Sequence, residues 1–126
     1  MRYILDTHTA FWFLKGSSQL SDKARKAIES AELNAVSIAS AWEIAIKSSI
    51  GKLSFNGGVQ EFLNQVKRNG FTVLPIKEEH LAFLHDLPFI HRDPFDRLLV
   101  SSALAEGMAI ITADENIHKY PVPCIW

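Results

Sequence analysis

The sequence predicts an α/β fold: a mainly parallel sheet of four to five strands with helices against both faces. Three observations lead there. Short apolar runs alternate with longer amphipathic stretches along the whole chain, the order produced when parallel strands are joined by crossover helices. The first run, Tyr3-Ile4-Leu5, is wholly apolar and stops at an aspartate, as a strand buried on both sides does. The length, 126 residues, suits a single domain spanning 1–126, and no linker, internal repeat or low-complexity tract divides it.

The elements follow in order. After the first strand, Thr7 is expected to cap a helix carrying Phe11, Trp12 and Leu14, which Gly16-Ser17-Ser18 breaks. Ser21 and Asp22 open a second helix over 22–30, with Ala24, Ala27 and Ile28 on its apolar side. Residues 34–37 read as the second strand and feed a helix over 38–50 rich in Ala, Trp and Ile, with Gly51 at its C-cap. Asn56-Gly57-Gly58 is a loop, and a helix over 59–69 stops at Gly70. The third strand is expected at 71–74 and a short helix at 78–85. A helix over 93–106, a fourth strand at 109–112 and a short fifth at 124–126 complete the chain.

Composition excludes several classes. Hydrophobic residues make up 48% and the formal net charge is -1, so a passive, strongly basic nucleic-acid binder is ruled out and any grip on phosphate must be local. Cys124 is the only cysteine, which forbids an internal disulfide or a thiolate metal site and suits a reducing cytoplasm. Asp6 interrupts the N-terminal apolar run, so no signal peptide is expected there. No stretch approaches the ~20 apolar residues needed to cross a bilayer.

In open α/β sheets, sites form in the crevice outside the carboxyl ends of the strands. Asp6 follows the first strand, Asp114 follows the fourth, Glu43 lies within the helix after the second, and Asp93 and Asp96 open the helix before the fourth. All could converge on one sheet edge. Carboxylates held together repel and raise one another's pKa, a penalty that a divalent cation removes. An all-oxygen donor set suits Mg²⁺ or Mn²⁺. Such an ion activates water and stabilises charge on a phosphoryl group, so phosphodiester hydrolysis is the chemistry this cluster serves best.

Each acid also has an ordinary structural role open to it. Asp6 could cap its helix. Glu43 is spaced i,i+4 from Lys47 and could form a helical ion pair, although it sits between Trp42 and Ile44 on a largely apolar helix. Asp93-Pro94-Phe95-Asp96 is a good helix start, with Asp93 at N-cap and Asp96 at N3, so Asp93 reads as structural before it reads as a ligand, Asp96 could be only a dipole partner, and Asp114, beside Glu115-Asn116, could be a turn residue. Lys47, Arg92 and Arg97 are near the acids in sequence and are candidate phosphate contacts, with solvated surface charge as the alternative. His8, His80, His85, His91 and His118 lack zinc spacing and read as surface or packing residues. Trp12, Trp42 and Trp126 read as core rather than stacking platforms. The phosphate-loop, nucleophile-elbow and dinucleotide-binding glycine motifs are absent.

Several strings taken together resemble a known family. Leu5-Asp6-Thr7-His8 with Trp12, Ser40-Ala41-Trp42-Glu43-Ile44-Ala45-Ile46-Lys47, Gly51-Lys52-Leu53, Leu74-Pro75-Ile76, the run from His91 to Leu99, and Thr112-Ala113-Asp114 look like a PIN-domain toxin of the VapC type. The resemblance runs from the first strand to the last few residues. It implies a three-layer α/β/α PIN-like domain and a Mg²⁺- or Mn²⁺-dependent endoribonuclease, usually the toxin of a toxin–antitoxin pair. It also implies a homodimer and silencing by a VapB-type antitoxin lodged in the active-site groove. The family's acids match Asp6, Glu43, Asp96 and Asp114, with Asp93 accessory. Asp6, Asp96 and Asp114 would hold the ion, directly or through water. Glu43 would orient or deprotonate the attacking water, or also bind metal, and cleavage would leave a 3′-hydroxyl and a 5′-phosphate.

Rival readings are weaker. A receiver-like signalling domain needs an acidic pair after the first strand and a phospho-accepting Asp after a central strand, and neither Val36-Ser37 nor Leu74-Pro75 supplies that Asp. A haloacid-dehalogenase-type phosphatase needs Asp-x-Asp where this chain has Asp6-Thr7-His8. A housekeeping RNA-processing nuclease or a DNA flap nuclease would keep the fold and drop the toxin role.

Overall fold

A computed structural model describes residues 1–126. Five strands, β1 (Arg2–Leu5), β2 (Leu33–Ser37), β3 (Thr72–Leu74), β4 (Ala109–Ile111) and β5 (Cys124–Ile125), form one sheet in the order β3-β2-β1-β4-β5. Every pairing is parallel. Six helices join them: α1 (Thr7–Lys15), α2 (Asp22–Ser30), α3 (Ile38–Ser49), α4 (Gly58–Arg68), α5 (Glu78–Asp86) and α6 (Pro94–Glu106). A short 3₁₀ turn (Ile117–Lys119) precedes β5.

The period of two along β1 divides the core. Tyr3 and Leu5 join one buried cluster with Phe11, Ile28, Ile44, Phe62 and Ile111. Ile4 joins another with Leu99, Val100, Ala103, Ile110 and Tyr120. Helices α1, α2 and α4 therefore cover one face and α5 and α6 the other, giving three layers, because successive strand residues point to opposite sides. Ile4, Leu5, Ile110 and Ile111 are fully buried.

Strand order places the functional edge. From β1 the chain builds outward through β2 to β3, then returns to lay β4 on the other side of β1. The reversal lies between β1 and β4, where an α/β sheet opens a crevice at the carboxyl ends of its strands. Asp6 and Asp114 follow these two strands. A concavity of about 490 Å³ lies elsewhere: Met1, Glu32, Leu104 and Met108 are among its lining residues, and none of Asp6, Glu43, Asp93, Asp96 and Asp114 is.

The expected elements are present, with local differences. Asp6, not Thr7, caps α1: its side chain accepts from the Thr9 amide, and Thr7 is already helical. Helix α3 ends one residue early, with Ile50 as C-cap and Gly51 beyond it at φ 75°, a left-handed conformation that glycine adopts freely. Trp42 is not core. It is 58% exposed and meets Phe95 edge-on.

Candidate active site

Asp6 is buried at the junction of β1 and α1 because the strand's apolar run ends there and the helix needs an acceptor for its first amides. One carboxylate oxygen, Oδ1, accepts from Thr9 N at 2.8 Å. The other, Oδ2, accepts from the hydroxyl of Thr112. The same hydroxyl accepts from the Asp114 amide at 3.0 Å. Asp6 is thus both cap and member of the acidic edge.

Glu43, also buried, projects from α3. Thr7 Oγ1 donates to its Oε1 at 2.8 Å and lies 3.0 Å from Ser40 Oγ. Lys47 Nζ donates to Oε2 at 2.6 Å. The i,i+4 ion pair foreseen from spacing is present, and it neutralises a carboxylate that is largely withdrawn from water. The hydrogen bond to Glu43, opposed by burial and assisted by the charges of Glu43, Asp93 and Asp96, raises the Lys47 ammonium above its ordinary range.

Asp93 caps α6, its Oδ1 accepting from Phe95 N at 2.8 Å and Asp96 N at 3.2 Å, with Pro94 at the first helical position. That cap sets Asp96 at the helix mouth. Burial, then the neighbouring charge of Asp93, with smaller contributions from Asp6 and Asp114 and relief from His91, pushes the Asp96 carboxyl up to about 7. Asp114 differs. Burial works to raise it, yet hydrogen bonds from His91 and from the Asn116 and Ile117 amides together hold it below the usual carboxylate range.

His91 joins the two. Its Nε2 is 3.0 Å from Asp96 Oδ2 and 3.1 Å from Asp114 Oδ2. Nδ1 accepts from the Asp93 amide at 3.2 Å, so the proton of the neutral ring belongs on Nε2, facing the two carboxylates. The loop before α6 is fixed from behind. Tyr120 Oη accepts from the His91 amide at 2.8 Å. Arg97 donates to the carbonyls of Pro88 and Leu87 at 2.9 and 3.4 Å and stacks on Phe89.

The fold therefore brings Asp6, Glu43, Asp96 and Asp114 to one edge, with Asp93 at its rim. Lys47 is there too, held by Glu43, and Arg92 is exposed beside Asp93. Arg97, expected from sequence position as a phosphate contact, is engaged instead with its own loop, because a planar five-donor guanidinium is well suited to gathering loose carbonyls. His91, Thr112 and Thr7 also belong to the site, where the sequence marks His91 only as a surface or packing histidine and Thr7 only as a helix cap, and gives Thr112 no role of its own. Thr112 ends an apolar strand two residues before an acid, and His91 precedes a capping aspartate by two; those positions were the available signals.

The residues fit a divalent cation. Carboxylate oxygens of Asp96 and Asp114 lie within 4.8 Å of one another, bridged by His91 Nε2 as a donor rather than as a ligand. Burial and the neighbouring negative charges, which together push the Asp96 carboxyl up to about 7, are the penalty that a cation would relieve. Each Asp6 oxygen retains a second lone pair beyond its hydrogen bond.

A three-layer α/β/α protein with a carboxylate centre at the switch point of a parallel sheet is the class that fold and site define. The chain belongs to the PIN-domain family, whose profile matches residues 3–123. It is similar to Ribonuclease VapC22 of Mycobacterium tuberculosis, 30% identical over 133 residues that cover 98% of this chain and 97% of that protein. In fold it resembles the crystal structure of VapBC2 from Rickettsia felis bound to a promoter DNA fragment, with a TM-score of 0.74, 15% identity, and coverage of 98% of this chain and 97% of that one. It also resembles FitAcB from Neisseria gonorrhoeae, with a TM-score of 0.66, 16% identity, and coverage of 97% and 95%. Family membership removes the receiver-like and phosphatase readings. No helix is long and apolar enough to cross a membrane.

Proposed function

We propose that the chain is a metal-dependent endoribonuclease, the toxin of a VapBC-type toxin–antitoxin pair, acting in the cytoplasm as one PIN unit over residues 1–126. The observation that carries this reading is the meeting of Asp6, Glu43, Asp96 and Asp114 at the switch-point edge, with Asp96 pushed up to about 7 by burial and uncompensated charge. Membership of the PIN-domain family and similarity to a VapC ribonuclease support it.

Asp6, Asp96 and Asp114 would hold Mg²⁺ or Mn²⁺, with Asp93 serving the site through its cap. When bound, the ion supplies Lewis acidity toward phosphate and water. Glu43, held by Thr7 on one oxygen and Lys47 on the other, would orient the attacking water and accept its proton. Attack at phosphorus would form the bond to the water oxygen and break the bond to the 3′-oxygen, which takes a proton from solvent, leaving a 3′-hydroxyl and a 5′-phosphate. Lys47 and Arg92 supply the local positive charge that a chain of net charge -1 lacks in bulk.

A VapB-type antitoxin is the expected protein partner, since solved relatives in fold are toxin–antitoxin complexes. A homodimer is supported by Ile38, Trp42 and Ile46, exposed at every fourth position of α3, and Ile50 at its C-cap, an apolar stripe of the kind that marks association surfaces.

The test is cleavage of single-stranded or loop RNA by purified protein. Activity with Mg²⁺ or Mn²⁺, silence in EDTA, and loss of activity in folded Asp6→Asn and Asp96→Asn variants are expected. Wild-type turnover in EDTA, or full activity in both variants, would refute the mechanism.

A further inference from the structure

We propose that Thr112 is a positioning residue that sets the distance between the acid after β1 and the acid after β4. The inference rests on the reading of Asp6 and Asp114 as metal-holding groups.

Thr112 is fully buried at the end of β4. Its hydroxyl donates to Asp6 Oδ2 and accepts from Asp114 N at 3.0 Å. A hydroxyl has one proton to give and two lone pairs to receive with. Used this way, a single oxygen ties a side chain from one strand to the backbone of the segment leaving its neighbour. The anchor itself is rigid. Thr112 N donates to Ile125 O at 3.1 Å, and its carbonyl oxygen lies 2.7 Å from His118 Nε2. Backbone pairing reaches only as far as Asp6, whose amide donates to Ile111 O at 3.3 Å, and Thr9 Oγ1 donates to the same carbonyl at 3.0 Å; the Thr112 hydroxyl carries the connection on from the Asp6 carboxylate to the Asp114 backbone.

With Thr9 N fixing Oδ1 and Thr112 fixing Oδ2, the Asp6 carboxylate has no rotational freedom left. Its remaining lone pairs then present a preformed donor set. Side chains that orient metal ligands from behind alter metal affinity or activity by roughly 10–100-fold when removed. Valine matches threonine in shape and lacks the hydroxyl, so Thr112→Val removes this hydrogen-bonding hydroxyl and little else. Thr112→Ser retains it.

Mn²⁺ binding to the purified full chain, titrated by electron paramagnetic resonance, separates positioning from mere filling of space. Thr112→Val is expected to weaken Mn²⁺ binding by about tenfold or more, while Thr112→Ser stays near wild type. Asp6→Asn serves as the reference for the site. If Asp6→Asn loses Mn²⁺ while Thr112→Val binds it like wild type, the positioning role is overturned and the site stands. If Asp6→Asn also binds like wild type, the reading of the site fails. Should circular dichroism show Thr112→Val unfolded, Thr112→Ala against Thr112→Ser makes the same comparison, and equal Mn²⁺ affinity in that pair overturns the proposal.

Discussion

Lys47 Nζ stands 2.6 Å from Glu43 Oε2, one turn along α3, with Glu43 nearly sealed from solvent and Lys47 partly open to it. A charge so placed is far more costly to strand than to pair. Lys47→Met would keep the aliphatic stem and remove the ammonium, leaving Oε2 without its partner. The expected loss is about 1–3 kcal/mol at neutral pH, read from urea unfolding. No loss in Lys47→Met would mean that water replaces the ammonium and that Glu43 is more open than its burial indicates.

Asp96 gives the metal-free protein a pH signature. Its carboxyl titrates at about 7 in the fold against 3.8 for the ordinary group. Between those values the native state binds more protons than the unfolded chain, so its contribution to stability falls as pH rises from about 4 to about 7 and stays lost above that. The effect is on the order of a few kcal/mol. In EDTA, Asp96→Asn should therefore melt near wild type at pH 4 and above it at pH 8. Added Mg²⁺ should raise the wild-type midpoint and leave the variant's unmoved. Equal midpoints for the two proteins at pH 8 would count against the charge crowding inferred here.

Arg97 and Arg92 should separate cleanly. Arg97 holds the Leu87 and Pro88 carbonyls and stacks on Phe89, 4.6 Å from the ring centroid. Arg97→Ala is expected to lower stability by about 1–3 kcal/mol and leave the salt dependence of RNA binding unchanged. Arg92→Ala should do the reverse, reducing the slope of log affinity against log salt by about 0.7 for one lost phosphate contact. Fluorescence anisotropy across a salt series decides, and a shallower slope in Arg97→Ala would return that residue to the phosphate contacts.

Away from the site, His80 is fully buried between α5 and α6. Its Nδ1 accepts from Lys77 N at 3.2 Å and its Nε2 lies 2.7 Å from Glu106 Oε2. Lys77 reaches the same carboxylate from the surface at 3.1 Å. His80→Ala leaves both a void and unpartnered polar groups, for an expected loss of roughly 2–4 kcal/mol. Lys77→Ala removes only an exposed charge and should cost less than about 1 kcal/mol. Similar losses in the two variants by thermal unfolding would show that the buried imidazole contributes no more than the surface ion pair.

Much of this protein was legible in its residues. Tyr3-Ile4-Leu5 and Ala109-Ile110-Ile111 announce strands because a chain segment buried on two faces can carry no polar side chain. Asp93-Pro94 announces a helix start because proline lacks only an amide that would be unbonded there. Those rules act over a few residues, so sequence order reveals them. The i,i+4 pair of Glu43 and Lys47 belongs to the same local physics.

Other features depended on which distant segments meet. His91 was indistinguishable from a surface histidine until the loop before α6 set its Nε2 between Asp96 and Asp114. Arg97 sits beside an acid in the chain, yet its guanidinium is drawn to loose carbonyls and an aromatic ring. Trp42 looked like core because of its chemistry and lies exposed because α3 turns that side outward. The sequence by itself determined the elements and their order, since propensity, capping and strand burial are local, and it offered the four acids through the family resemblance rather than through local physics. Only the tertiary structure decided how those acids are held, since hydrogen bonds such as Thr112 to Asp6 join residues 106 positions apart, and no local preference carries that far.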